Sequence, residues 1–167
     1  MAGRLGIRAA SQSTNKFGRQ ITTTGTLSRP LSIEDFVDFD LEDVGGDLCT
    51  VSRSEHGEGK YVRNVEGVGK YAHVRAVIAP HPGIHCYRFA WRPLKDSLPL
   101  PFMRAACIDG VRRALLERVA DGRRIAFVEV SIVDGSYHDR DTDDESMRIA
   151  AYLAVRDALA RVRLISV

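Results

Sequence analysis

Five segments between Tyr71 and Ala158 carry a regular hydrophobic period, and their order limits the fold more than any other feature. Tyr71 to Ala79 sets Ala72, Val74, Ala76 and Ile78 on one face and His73 and Arg75 on the other. His85 to Trp91 sets Tyr87, Phe89 and Trp91 against Arg88 and Arg92, and Arg124 to Val133 sets Ala126, Val128, Val130 and Ile132 against Glu129 and Ser131. Alternation of this kind is the mark of a half-buried strand. Pro80-His81-Pro82-Gly83 is turn chemistry and predicts a hairpin between the first two. Between the second and third strands, Met103, Cys107, Val111, Leu115 and Val119 recur at i+4 steps and predict a helix over 100–120, stopped by Asp121-Gly122. Gly110 inside it implies a close neighbour. The last helix starts at Thr142-Asp143-Asp144-Glu145, read as a capping box with Thr142 as N-cap and Glu145 reaching back. Its Met147, Ala150, Ala151, Ala154 and Ala158 form a small-residue stripe suited to close packing on a sheet, and 161–167 closes with a further strand. The expected fold is α/β (α+β): a two-layer sandwich, a mixed β-sheet with two helices on one face, in the order β-β-α-β-α.

A chain of 167 residues with a 44% apolar share can fill one core and is short for two domains. No apolar run approaches the length of a membrane span and no h-region follows Met1, so neither a membrane partner nor secretion is expected. Cys49, Cys86 and Cys107 are odd in number and widely spaced, which makes neither a disulfide framework nor a zinc site; Cys86 and Cys107 read as small hydrophobes. A net charge of +2 names no partner.

The charge is nevertheless segregated. Residues 1–33 carry Arg4, Arg8, Lys16, Arg19 and Arg29 and no acid, and they lack apolar periodicity, so a disordered basic tail is expected there. It can be a solvated tail, an RNA-binding arm or a transit-like segment. Residues 34–47 carry seven acids and no base, with Val37, Phe39 and Leu41 alternating between them. This stretch reads as an acidic linker, as an edge strand guarded by carboxylates, or as a contact for a basic protein partner. The remaining residues, 48–167, form the folded domain. Its open sheet face would carry His73, Arg75, Arg88 and Arg92, as any one-sided sheet carries polar residues, and a basic face of this kind is also compatible with nucleic acid.

Two loops hold the remaining information. The first, Glu66-Gly67-Val68-Gly69-Lys70, leads into a strand and not a helix, so it is no phosphate-binding helix entry; no GxxxxGK[ST] occurs, and no GTP site is expected. The second, Asp134-Gly135-Ser136-Tyr137-His138-Asp139-Arg140-Asp141, joins the third strand to the capped helix. Asp134 through Asp139, then Asp141, then Arg148-Ile149-Ala150-Ala151 resemble domain IV of translation elongation factor G. Gly69-Lys70-Tyr71-Ala72-His73-Val74 is similar to that family's Gly-Gln-Tyr-Gly-His-Val, and Tyr87-Arg88-Phe89 to its Tyr-Glu-Phe. The resemblance covers about residues 55–165 and departs at Glu66-Gly67-Val68, where the family carries an arginine, and at Lys95-Asp96, which replace a Gly-Gly turn.

That resemblance implies a ribosomal-protein-S5-domain-2-like fold and a tip, formed by the two loops, that enters the ribosomal decoding centre near the tRNA–mRNA region. Residue by residue it assigns the tip to Gly67, Val68, Gly69, Lys70, Ser136, Tyr137, His138, Asp139 and Asp141. The physical reading agrees in kind: glycines let backbone donors approach phosphate, Lys70 supplies charge, and His138 can hydrogen-bond or stack. The family's GTPase domain is missing from this sequence, so the chain is not expected to drive translocation alone. The expectation is a cytoplasmic, non-catalytic ribosome- or RNA-binding module without cofactor or metal. The alternative is a protein–protein interaction module on a reused fold. An enzyme is the third reading, because His138, Asp139, Asp141, Asp143 and Asp144 could surround a hard metal, although capping explains two of them.

Overall fold

A computed structural model describes residues 13–14, 20–21, 36–39, 46–84, 87–94, 97–120 and 122–167. The chain divides into two units, Met1–Leu31 and Ser32–Val167. In the first, β1 (Ser13–Thr14) pairs antiparallel with β2 (Gln20–Ile21). The rest of 1–33, and with it the expected disordered tail, lies outside the described residues.

The second unit contains β3 (Phe36–Phe39), β4 (Asp47–Val51), β5 (Glu55–Val65), β6 (Val68–Pro80), β7 (Tyr87–Trp91), α1 (Pro101–Ala120), β8 (Arg123–Ile125), β9 (Val128–Ser136), α2 (Asp144–Arg161) and β10 (Leu164–Ser166). Five strands make one mixed sheet in the order β3, β7, β9, β6, β5, and β10, β4, β8 make a small second sheet. Both helices pack against the large sheet, so the α+β architecture holds with two helices and mixed sheets. The sequence order β-β-α-β-α is present, with β3, β4 and β5 ahead of it.

The expected hairpin between the first two alternating segments does not form. β9 lies between them, antiparallel to β6 on one edge and parallel to β7 on the other. The parallel pairing needs a crossover, which α1 supplies. Val128, Val130 and Ile132 on β9 are all fully buried, and the strand takes the centre, paired along both edges. Residues 85 and 86, the start of the expected second strand, lie outside the described residues.

The stretch read as one strand over 124–133 is two. Phe127 adopts φ 56°, and this break sends β8 to the small sheet beside β4 and β9 to the large one. Phe127 O is held there by His81 N and by Thr50 Oγ1 at 3.1 Å.

β5 shows no strand period in the sequence, for a reason that packing explains. Its core-facing residues at Gly57 and Gly59 have no side chain to alternate, because α2 lies directly on them. A Cβ at Gly59 would overlap Ala150 O and come within 2.5 Å of Ala154 N, and one at Gly57 would come within 2.7 Å of Ala158 N. The alanine stripe of α2 is thus one half of a backbone-to-backbone contact. Gly110 is the matching device between the helices, where a Cβ would overlap Arg148 O. At the opposite edge of the sheet β3 pairs antiparallel with β7, turning Val37 and Phe39 to the core and Asp38 to solvent. Met103, Cys107, Val111 and Leu115 of α1 are buried as the i+4 stripe requires; Val119's side chain lies outside the description. Burial pushes the Cys107 thiol well above its ordinary pKa, as for an inert core residue.

Candidate nucleic-acid interface

The long hairpin of β5 and β6 turns at Glu66-Gly67, with φ of 52° and 84°. Two successive positive φ values make the tight two-residue connection that matches strand twist, and Gly67 occupies the second at no steric cost. Val65 and Val68 flank the turn as a cross-strand pair. With Val62 they are about half exposed (59%, 48% and 54% for Val62, Val65 and Val68), an apolar end to the hairpin.

The second loop is stapled onto β6 just behind this end. Tyr71 N donates to Asp141 O at 2.8 Å, and Thr142 Oγ1 donates to Tyr71 O at 2.6 Å. The same Thr142 oxygen accepts from His138 N at 2.8 Å, closing the 138–142 turn. Gly69 makes this approach close, since a Cβ there would sit 3.0 Å from the Asp141 carboxyl carbon and the carboxylate would have to give by a few tenths of an ångström. Thr142 therefore does not cap α2. The N-cap is Asp143, whose Oδ1 accepts from Ser146 N at 2.9 Å while Ser146 Oγ accepts from Asp143 N, so the capping box lies one residue later than the sequence suggests and uses Ser146 in place of Glu145.

Lys70 is part of this scaffold. Its ammonium pairs with Asp143 Oδ2, with side-chain exposures of 29% and 39%, and that hydrogen bond first of all holds the lysine pKa above its ordinary value. Burial alone would raise the Asp143 carboxyl, but Lys70 and the Ser146 donors outweigh it and bring the pKa down to about 2. Lys70 is therefore tied to the helix cap through one of the three donors of its ammonium. Because the folded pKa lies below the ordinary 3.8, the stabilisation is fully present above about pH 4 and is lost as pH falls towards 2. Asp143→Ala should cost about 1 kcal/mol at neutral pH, a drop of roughly 2–4 °C in Tm. Thermal melts of both proteins from pH 7 to 2 should converge at the acid end; a constant difference would show that the carboxylate charge contributes nothing.

Gly69, Lys70, Tyr137, His138 and Asp141 meet along one cleft of about 440 Å³, completed by Val62, Arg63 and Tyr71. The two loops that sequence reading singles out are thus brought together. His138 Nδ1 lies 3.2 Å from Asp141 Oδ2, which fixes the ring at the cleft edge. Gly67 and Val68 stand apart at the hairpin end, and Asp139 is exposed without lining the cleft. Ser136 instead meets Tyr71 Oη at 2.7 Å, next to His73. Sequence reasoning misses Arg63 and Tyr71 as site residues. Arg63 sits opposite Lys70 in the hairpin register, a placement visible only once 55–65 is known to be a strand. The carboxylates of the second loop diverge, Asp143 to Lys70 and Asp141 to His138, and among the described residues no group of three or more His, Cys, Asp or Glu is placed to hold a metal ion.

The sheet face departs from its expected charge. His73 Nε2 lies 2.6 Å from Glu58 Oε1, and Arg75 lies between Glu58 and Asp134 at 3.8 and 3.6 Å. Arg88 donates to Asp38 Oδ2 at 2.7 Å, holding that carboxyl below its usual pKa, and Arg92 pairs with Glu129 at 3.0 Å. The four predicted bases are on the open face, but each has a carboxylate beside it. The expectation of a basic surface there is corrected to a neutralised one.

A five-stranded mixed sheet backed by two helices, with a long hairpin and a helix-entry loop joined at one end, defines a two-layer α+β domain. Residues 49–163 match the family described as elongation factor G, domain IV. The chain belongs to that family. It is 31% identical over 112 residues to Elongation factor G 1 of Syntrophomonas wolfei and 30% identical over 116 residues to Elongation factor G of Thermotoga maritima. These alignments take in 67% and 68% of this chain but only 16% and 17% of the relatives. A crystal structure of a Thermus thermophilus protein superposes with a TM-score of 0.64 at 25% identity, over 74% of this chain and 18% of that one. The chain is therefore a domain of a translation-factor family, and among the described residues no helix is long and apolar enough to cross a membrane.

Proposed function

We propose that this protein is a non-catalytic RNA-binding module that presents its tip to the ribosome, at or near the decoding region, and so modulates translation in the cytoplasm. The observation that supports this best is the cleft. Two tyrosines and a histidine can stack on unpaired bases, Arg63 and the exposed Arg140 offer charge to phosphate, and loop two is pre-organised by its staple to β6. No cofactor, metal, GTP or membrane enters this reading. The dispersal of the second-loop carboxylates into a cap and a His138 contact argues against metal-assisted chemistry.

A second reading has its own observation. The exposed valines Val62, Val65 and Val68 suit an apolar pocket on a protein partner. Co-sedimentation with ribosomes and separated subunits across a salt series separates the two. Wild type should pellet saturably with the small subunit or whole ribosome, and Arg63→Ala/His138→Ala should bind at least about 10-fold more weakly with a shallower salt dependence. No pelleting of wild type near physiological salt would overturn the ribosomal reading and favour the protein partner.

A further inference from the structure

β5 is an outer strand of the large sheet and pairs with β6 alone. Its even-numbered residues turn their backbone N–H and C=O groups away from β6, as Glu58 shows, whose N–H donates to Asp157 Oδ2 of α2 at 2.9 Å. His56 is closed in the same way. Its N–H donates to Glu55 Oε1 at 3.3 Å, and its carbonyl accepts from Arg161 Nη1 at 3.5 Å. These guards stop at Glu58. Lys60, Val62 and Asn64 are exposed, and no group among the described residues meets their outward backbone. An unguarded run of alternating donors and acceptors on a sheet edge is a template for another strand.

The side chains along this run select the strand that fits. In an antiparallel pairing of two copies about Val62, Val62 faces its own copy, Lys60 faces Asn64 and Tyr61 faces Arg63. No cation then opposes a cation, and each Tyr61 receives a guanidinium beside its ring on the helix side of the sheet. The neighbouring registers fail. Centred on Tyr61, the pairing needs the Glu58 N–H that Asp157 already holds. Centred on Lys60 or Arg63, it sets two like charges directly opposite one another.

We propose that β5 pairs edge to edge with β5 of a second copy of this chain, antiparallel about Val62, and so joins the two large sheets into one. About six backbone hydrogen bonds form across the junction, two at each of the outward-facing pairs. The inference stands apart from the tip reading. Val62 and Arg63 also line the cleft, so self-association and RNA compete for that end of the hairpin.

The test is analytical ultracentrifugation of the full chain from about 1 to 500 μM. The mass of wild type should rise with concentration from 18.5 kDa towards twice that value. Val62→Pro removes the donor at the two-fold axis and no bond to β6, so it should self-associate at least about 10-fold more weakly with its melting temperature kept. Val62→Lys, at an exposed position, sets two ammoniums together and should do the same; it decides the matter should Val62→Pro melt early. Cysteine cross-linking reads the register. Cα atoms of a hydrogen-bonded pair lie about 5.5 Å apart, so Val62→Cys should form an intermolecular disulfide under mild oxidation. Asn64→Cys, roughly 14 Å from its copy, should not. Wild type that stays at 18.5 kDa throughout overturns the proposal, as does a dimer that both Val62 variants keep or one cross-linked through residue 64 and not 62. Wild type that pellets with ribosomes yet stays monomeric fails this inference and leaves the tip reading standing.

Discussion

Gly59→Ala is expected to lower the melting temperature of the domain by at least about 6–12 °C, corresponding to roughly 3 kcal/mol or more. The added methyl has no room: it would overlap Ala150 O and approach Ala154 N to 2.5 Å, and both are helix backbone. A flexible side chain could swing aside; a carbonyl cannot. α2 would have to lift away from β5, opening the contact its fully buried Ala150, Ala154 and Ala158 make with the sheet. Gly67→Ala is the control within the same hairpin. It meets nothing within 4 Å and is strained only by its φ of 84°, so about 1 kcal/mol is expected. Differential scanning calorimetry on the pair decides the point. Equal shifts would mean that α2 does not rest on the β5 backbone.

Phe89→Ala should destabilise by about 3–5 kcal/mol, the range for emptying a large aromatic site in a core. Phe89 is fully buried on β7, its ring centroid 6.2 Å from that of Trp91, and its register partners are Val37 on β3 and Val130 on β9. The loss should therefore fall first on the edge strand. β3 has four residues and pairs on one side only, so besides its ladder to β7 it is held by this packing, the Phe39–Tyr87 stack at 4.9 Å and surface contacts of Arg88 and Arg92 with Asp38 and Phe36. Trp91 is the single tryptophan of the chain, and its fluorescence reports the unfolding midpoint directly. Hydrogen exchange should show amides 36–39 losing protection before those of β6 and β9. Uniform loss across the sheet would mean that β3 is not a weaker unit.

The tip and the scaffold separate along the same lines. Lys70 looks like a phosphate ligand in the sequence because a lysine after Gly-Val-Gly is chemically suited to one. Its carboxylate partner is 73 positions away in sequence, and only the fold brings Asp143 beside it. Arg63 shows the opposite case: a cation in a stretch without alternation attracts no notice, yet the register of β5 against β6 puts it on the cleft beside Lys70. The same blindness explains the sheet face, since His73, Arg75, Arg88 and Arg92 are legible as outward residues while the strand order that sets Glu58, Asp38 and Glu129 beside them is not.

By itself the amino-acid sequence determined most of what depends on local period, though not the exact cap of α2, which falls on Asp143 and Ser146. The i+4 stripe of α1, the alanine stripe of α2, the buried faces of β6, β7 and β9 and the second-loop motif with its helix were readable because each is set by neighbours within a turn or a strand. The tertiary structure decided what depends on a distant partner. It placed β9 between β6 and β7, because the α1 crossover returns the chain parallel to β7 and leaves the free edge of β6 to pair with β9 as well. It broke 124–133 at Phe127, where contacts from His81 and Thr50 hold a backbone angle that phenylalanine does not choose alone. And it turned Gly57 and Gly59 into the core of a strand, since a residue whose contribution is the absence of a side chain leaves no hydrophobic period to read.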